Sequence, residues 1–274
     1  MILRGNCLEK VDEIAPLSIQ TVVTSPPYWG LRDYDNDGQL GQESSPEKFV
    51  FNLTKLFSKI KPVLKDDGTV WVNIGDTFFG AKGGHCDKNS ISSPVAGRQY
   101  RQRRKVPPKH TYLKDGDLSG VPWLFAREMQ KDGWYLKQDI IWHKPNPMPE
   151  AVNNRCVKSH EYIFLFTKSK QYYFDAEAIS NPKSDGSGYV RKGSVWTINT
   201  ASLSEAHFAV FPEDIPAYCI KAGSKEGDIV LDPFMGSGTT ALVAQKLGRR
   251  WIGIELNPEY IEIIKRRTAQ TELF

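Results

Sequence analysis

No apolar run in this chain comes near the roughly 18 consecutive residues that carry a helix across a bilayer, so no membrane span is expected. The opening residues, Met1 to Asn6, lack the charged head and apolar stretch of a signal peptide, and a cytoplasmic place follows as the expectation. Cysteine is scarce. Cys7, Cys86, Cys156 and Cys219 are scattered and form no Cys-x-x-Cys pair, which argues against a disulfide scaffold and a zinc ribbon alike. His85-Cys86 with His110 lacks the usual ligand spacing, so no metal site is expected. No stretch repeats itself along the chain.

Charge imbalance is also scarce outside one place. The chain carries a formal charge of +4. Between Phe79 and Gly120 stand nine lysines and arginines against three aspartates, a balance of +6, so the rest is slightly acidic. Arg101, Arg103, Arg104 and Lys105 form the densest cluster. A run of this kind is often only solvated, but clustered Arg and Lys equally suit phosphate contact. With Gly80, Gly83, Gly84, Gly97, Pro94, Pro107 and Pro108 and no apolar periodicity, the segment reads as a long loop.

Elsewhere the pattern alternates. Thr21 to Thr24 reads as a buried strand, Ser45 to Lys61 as a helix with Pro46 near its start, and Thr69 to Ile74 as a strand after a turn at Asp66-Asp67-Gly68. Trp123 to Lys131 is helical, and Tyr135 to Trp142 and Tyr162 to Thr167 look like paired strands. Then come strand Asp228 to Leu231, helix Thr239 to Leu247, strand Trp251 to Ile254 and helix Pro258 to Arg267. Such alternation predicts a mostly parallel sheet with helices on both faces.

Two loops carry chemistry. Asp232-Pro233-Phe234-Met235-Gly236-Ser237-Gly238-Thr239-Thr240 joins a strand to a helix. Its glycines let main chain approach a ligand, and the helix start offers unpaired N–H groups. Glu255, about twenty residues on, ends the next strand where an acid can accept ribose hydroxyls. The geometry suits a nucleoside cofactor, and the missing lysine argues against a phosphate-binding Walker loop. The second loop, Ser25-Pro26-Pro27-Tyr28, ends a central strand. Ser25 Oγ and the Pro26 carbonyl can accept the hydrogens of an aromatic amine, and proline adds no competing donor. Such bonds localise the nitrogen lone pair for attack. The Tyr28 ring offers a face for stacking a base. Taken alone, the four residues would be read as a rigid turn.

Together the two loops resemble the amino-methylating DNA methyltransferases, which act on N4 of cytosine or N6 of adenine. Thr24 to Trp29 resembles the family's catalytic motif and Asp232 to Thr240 its cofactor loop. Trp142-x-Lys144-Pro145-Asn146-Pro147, Arg155, His160-Glu161 and Tyr173-Phe174-Asp175 resemble its middle section. His207-Phe208-Ala209-x-Phe211-Pro212 resembles the segment before the cofactor loop. The catalytic motif precedes the cofactor motif, the family's β arrangement. The resemblance implies a Rossmann-like S-adenosyl-L-methionine-dependent α/β sheet, circularly permuted, with Ile2-Leu3-Arg4 supplying the strand expected after the last helix.

It further implies Ser25, Pro26, Pro27 and Tyr28 as catalytic residues. The cofactor set would be Asn6, Phe211, Pro212, Asp232, Pro233, Phe234, Gly236, Ser237, Gly238, Thr239, Thr240, Glu255 and Asn257. Asn6 stands where the family commonly has Asp. Lys144 and Arg155 read equally as DNA-facing or structural, and Trp29 and Trp142 as pocket walls or core anchors. Ser at the first catalytic position points to N4 of cytosine, with N6 of adenine as the alternative. Methylation at C5 of cytosine would need a Pro-Cys nucleophile, which is absent. The related loops of RNA and protein-glutamine methyltransferases begin with Asn. A DNA-binding module without catalysis is the remaining alternative, against which the intact cofactor loop weighs. The expected partner is double-stranded DNA, with a cognate restriction endonuclease beside it, and the chain would act as a monomer or homodimer. One methyltransferase domain over 1–274 is expected, with the basic insertion at about 79–120 and a short target-recognition segment at about 181–204.

Overall fold

The computed structural model describes residues 1–31, 38–80, 110–183, 185–202, 209–210 and 212–269. In chain order the elements are β1 (Ile2–Arg4), α1 (Cys7–Lys10), β2 (Ile19–Thr24), α2 (Pro46–Ile60), β3 (Leu64–Ile74), α3 (Val121–Lys131), β4 (Tyr135–His143) and β5 (His160–Thr167). Then follow β6 (Asn181–Pro182), β7 (Tyr189–Val190), β8 (Val195–Thr197), β9 (Ala201–Ser202), β10 (Ala209–Val210) and α4 (Asp214–Gly223). The chain closes with β11 (Ile229–Asp232), α5 (Thr239–Lys246), β12 (Arg250–Glu255) and α6 (Pro258–Ala269).

One eight-stranded sheet runs β1-β12-β11-β2-β3-β5-β4-β8. The first five in that order are mutually parallel, β5 is antiparallel to β3 and to β4, and β8 is parallel to β4. The sequence alternates sides as a doubly covered sheet requires. Val22, Val70, Val72, Phe164 and Phe166 pack with Phe49, Leu53, Phe57 and Phe125 of α2 and α3. Their neighbours Val23, Trp71, Ile163 and Leu165 pack on the other face with Ile215, Cys219, Ile220 and Val243 of α4 and α5.

The permuted closure is present. Ile2, Leu3 and Arg4 pair with Gly253, Ile254 and Glu255. Several elements differ from expectation. Asp66 to Gly68 is no free turn. It bulges within β3, because Ile19 faces Leu64 while Thr21 faces Thr69. The basic segment read as a loop has both ends held. Phe79 N donates to Asp117 O at 2.8 Å, and His110 and Tyr112 both bind Glu47. Arg101, Arg103, Arg104 and Lys105 lie outside the described residues. The segment read as target recognition contains a small antiparallel pair, β6 with β7, and β8, which extends the main sheet. Helix α4 was not anticipated. Among the described residues no helix is long and apolar enough to cross a membrane.

Candidate active site

Topology alone assembles the site. The carboxyl ends of β1, β12, β11, β2 and β3 lie on one edge of the sheet, and β4 and β8 end there too. Antiparallel β5 begins there, which places Glu161 on the same edge. Between β11 and β2 the connections depart in opposite directions, the switch point where open α/β sheets bind ligands. A cavity of about 410 Å³ opens at that point, within the range of about 300–1,000 Å³ usual for small-molecule sites.

One half of the cavity is built by the loops after β1, β11 and β12. Its wall includes Asn6, Pro233, Phe234, Gly236, Ser237, Thr239, Glu255 and Asn257, with Ile254, Leu256 and Tyr260. Glu255 accepts from Gly236 N at 2.7 Å and Asn257 N at 2.8 Å. Burial pushes its carboxyl up to about 7, with those N–H donors pulling the other way. Asn6 Oδ1 caps α1 through Leu8 N at 2.9 Å, while its amide donates to Gly38 O at 3.2 Å. Gly253 seats the loop from below. A Cβ there would stand 2.3 Å from Met235 Cε.

Asp232, Gly238 and Thr240, expected as cofactor residues, are absent from the cavity wall. Asp232 is 1% exposed. It accepts from Thr24 Oγ1 and Thr240 Oγ1, both at 2.6 Å, and from Phe234 N at 3.0 Å. It therefore ties the end of β2 to the glycine loop. Burial raises its carboxyl to about 6, and these donors oppose the rise. Pro212 is buried beside α4, away from the cavity wall. Phe211 lies outside the described residues.

The other half is walled by Ser25, Pro26, Pro27, Tyr28, Asn73, Trp142, Lys144, Met148, Glu161 and Thr200. Glu161 is its hub. One carboxylate oxygen accepts from the Tyr28 hydroxyl and from Asn73 Nδ2 at 3.1 Å, and the other pairs with the Lys144 ammonium. Asn73 Nδ2 also reaches Tyr162 O at 3.2 Å. With its amide nitrogen so engaged, Asn73 turns Oδ1 toward Ser25, whose hydroxyl donates to it across 3.3 Å, long for a hydroxyl bond. A Cβ at Gly75 would stand 2.6 Å from the Tyr28 ring, so only glycine admits that ring. Trp142 lines the cavity, whereas Trp29 is wholly buried and donates to Glu43 O at 3.0 Å. Arg155 is outside the wall, paired with Glu150 at 2.6 Å and lying over the Phe78 ring. Asn73, Gly75 and the hub role of Glu161 were not anticipated, although Glu161 falls in a stretch already singled out.

The fold and this two-part cavity define a Rossmann-like methyltransferase. The family profile described as DNA methylase matches residues 19–266. Type II methyltransferase M.Cfr9I of Citrobacter freundii is 46% identical over 97% of this chain and 86% of its own length. M.SmaI of Serratia marcescens is 47% identical over 97% of this chain and 89% of its own. Among solved structures, the cytosine-N4-specific PvuII DNA methyltransferase superposes with a TM-score of 0.70 at 23% identity, over 97% of this chain and 85% of that one. A DNA modification methylase of Thermus thermophilus, complexed with S-adenosyl-L-methionine, gives 0.66 at 25% identity over 98% and 93%. The chain belongs to the DNA methylase family: it is an S-adenosyl-L-methionine-dependent DNA methyltransferase acting on N4 of cytosine or N6 of adenine.

The residues present fit that cofactor. Phe234, Ile254, Leu256 and Tyr260 give apolar faces for a purine. The Glu255 carboxylate, with one N–H on each oxygen, keeps lone pairs for two ribose hydroxyls.

Proposed function

We propose that the chain methylates N4 of cytosine in double-stranded DNA, as the modification member of a type II restriction–modification pair. The observation that carries the choice of base is Ser25 at the head of the catalytic loop, with its hydroxyl hydrogen drawn to Asn73 Oδ1. The serine lone pairs are thereby left for the substrate amine. A target base inside a duplex cannot reach this cavity, so it must be extruded. Tyr28, braced by Glu161 and admitted by Gly75, supplies the stacking face.

When bound, the cofactor supplies an electrophilic methyl group on a sulfonium. Ser25 Oγ and the Pro26 carbonyl accept the two amino hydrogens and hold the nitrogen lone pair toward that carbon. With the cofactor in place, the N–C bond would form at the expense of the methyl–sulfur bond. Much of the acceleration then comes from fixed geometry rather than acid–base power. The methylated nitrogen loses one proton to the Ser25 hydroxyl or to water. No strong base is needed, because a protonated aromatic amine is itself a strong acid. The names of M.Cfr9I and M.SmaI, both type II methyltransferases and 46% and 47% identical, support the restriction–modification setting. The test is incubation with DNA and labelled cofactor followed by nucleoside mass spectrometry. N4-methylcytosine is the expected product, and N6-methyladenine would overturn the assignment of the base.

A further inference from the structure

The Lys144–Glu161 pair has no part in holding the amine, and it is costly where it stands. The side chains are only 18% and 9% exposed. Taking an ammonium and a carboxylate out of water together often yields no more stability than apolar side chains of the same size. Both residues line the half of the cavity that contains Ser25 and Tyr28.

Their hydrogen-bonding capacities are unequal. Glu161 is occupied, accepting from Tyr28, Asn73 and Lys144. It has no hydrogen of its own to offer a base. Lys144 carries three N–H groups. Among the described residues it has one acceptor, Glu161 Oε1, and its ammonium rests over the Trp142 ring at 4.3 Å. A half-buried ammonium with donors to spare is a site for an acceptor.

Cytosine has such an acceptor where adenine does not. With its amino hydrogens on Ser25 and Pro26, cytosine still presents N3 and the O2 carbonyl along the same edge. Adenine presents a ring nitrogen and then a C–H. We propose that Lys144, held by Glu161 and Trp142, donates to the O2 carbonyl of the extruded cytosine. This rests on the N4-cytosine reading. Lys144 is a substrate-binding residue, and Glu161 positions it.

The test uses a duplex carrying the mapped target site, with the target cytosine replaced by a C-nucleoside of 2-aminopyridine. That base keeps the ring nitrogen and the amine and lacks the carbonyl. Wild-type enzyme should lose about tenfold to a hundredfold in kcat/KM on this analogue, the range for one hydrogen bond to a charged group. K144M should lose a similar factor on cytosine and show no further loss on the analogue. Because K144M leaves Glu161 buried without its cation, the comparison is repeated between E161Q and E161Q/K144M. Unchanged cofactor affinity by titration certifies the fold of each. If wild-type enzyme methylates the analogue as fast as cytosine, or if K144M costs the same factor on both, the lysine merely neutralises Glu161 and the proposal falls. Product analysis of the wild-type reaction reports separately on the reading beneath it. N6-methyladenine would remove the cytosine itself, whereas N4-methylcytosine with no carbonyl effect would remove only the role of Lys144.

Discussion

The two halves of the cavity are made in different ways. The cofactor half comes from a few contiguous loops. Residues 233–237, 239 and 254–257 supply most of its wall, and one acid, Glu255, supplies the charge. The base half is side chain. It draws on residues 25–28, 73, 142–148, 161 and 200, five separate stretches of sequence. A site built from contiguous loops turns on its glycines and its one acid. A side-chain site is held by mutual bonds, so loss at any member disturbs the others.

The sharpest way to break this comparison is at the catalytic loop. Ser25→Ala and Tyr28→Ala should leave cofactor affinity unchanged and lower kcat by about a hundredfold or more, the scale seen when one preorganised polar partner of a reacting group is removed. Calorimetric titration beside a labelled methyl-transfer assay measures both. Wild-type turnover by Tyr28→Ala would show that the base half is not where chemistry occurs.

The mirror experiment is Glu255→Ala. Losing charge-assisted bonds to two hydroxyls should weaken cofactor binding by about tenfold to a hundredfold, with little change in kcat at saturating cofactor. The pH dependence identifies the group. Burial raises Glu255 to about 7, and hydroxyl donors favour the ionised form. Affinity should therefore rise as pH is raised through about 7 and level off above it. Glu255→Gln should remove that dependence. A pH profile shared by both proteins would reassign the titrating group.

The smallest effect probes the seam. Thr24 and Thr240 both donate to Asp232, joining the strand that ends at Ser25 to the glycine loop. Thr240→Val should cost about 1–3 kcal/mol of stability by leaving a buried acceptor short of a partner. Asp232 titrates near 6 in the folded chain, raised from its ordinary value. The lost bond stabilises the carboxylate, so the variant's carboxyl is raised further still, and its deficit should be full well above pH 6, shrink as pH falls toward 6 and level off below it. Thermal melts across that window measure it. A deficit independent of pH would mean that Asp232 is not the group left short.

Legibility followed the same division. The glycine loop, Glu255 and the Ser-Pro-Pro-Tyr loop could be read because each is a contiguous string whose residue types are needed for backbone reasons. The edge strand Ile2–Arg4 could be read because the final helix called for a partner strand. The hub could not. Asn73 and Glu161 meet only through the antiparallel register of β3 with β5, in which Asn73 faces Ile163 and Ile74 faces Tyr162. No spacing along the chain announces that register. The acids of Asp66-Asp67-Gly68 suggested a turn, but parallel pairing on either side holds them in a bulged strand. Helix α4 has its signal in Ile215, Cys219, Ile220 and Ala222 on one buried face, partly disguised by Pro216 in its first turn.

Strand β1 has a consequence in time. It begins beside residues that lie 250 positions further along the chain. At about 5–20 residues per second, roughly ten to fifty seconds of synthesis separate the emergence of Ile2–Arg4 from that of its partner strand. The strands that carry Ser25, Asn73 and Glu161 are all made by residue 167. On a ribosome the base half can take shape while the cofactor half still waits for β11 and β12. A chain broken off before Glu255 could gather the groups that grip an amine, yet would lack the pocket that supplies the methyl.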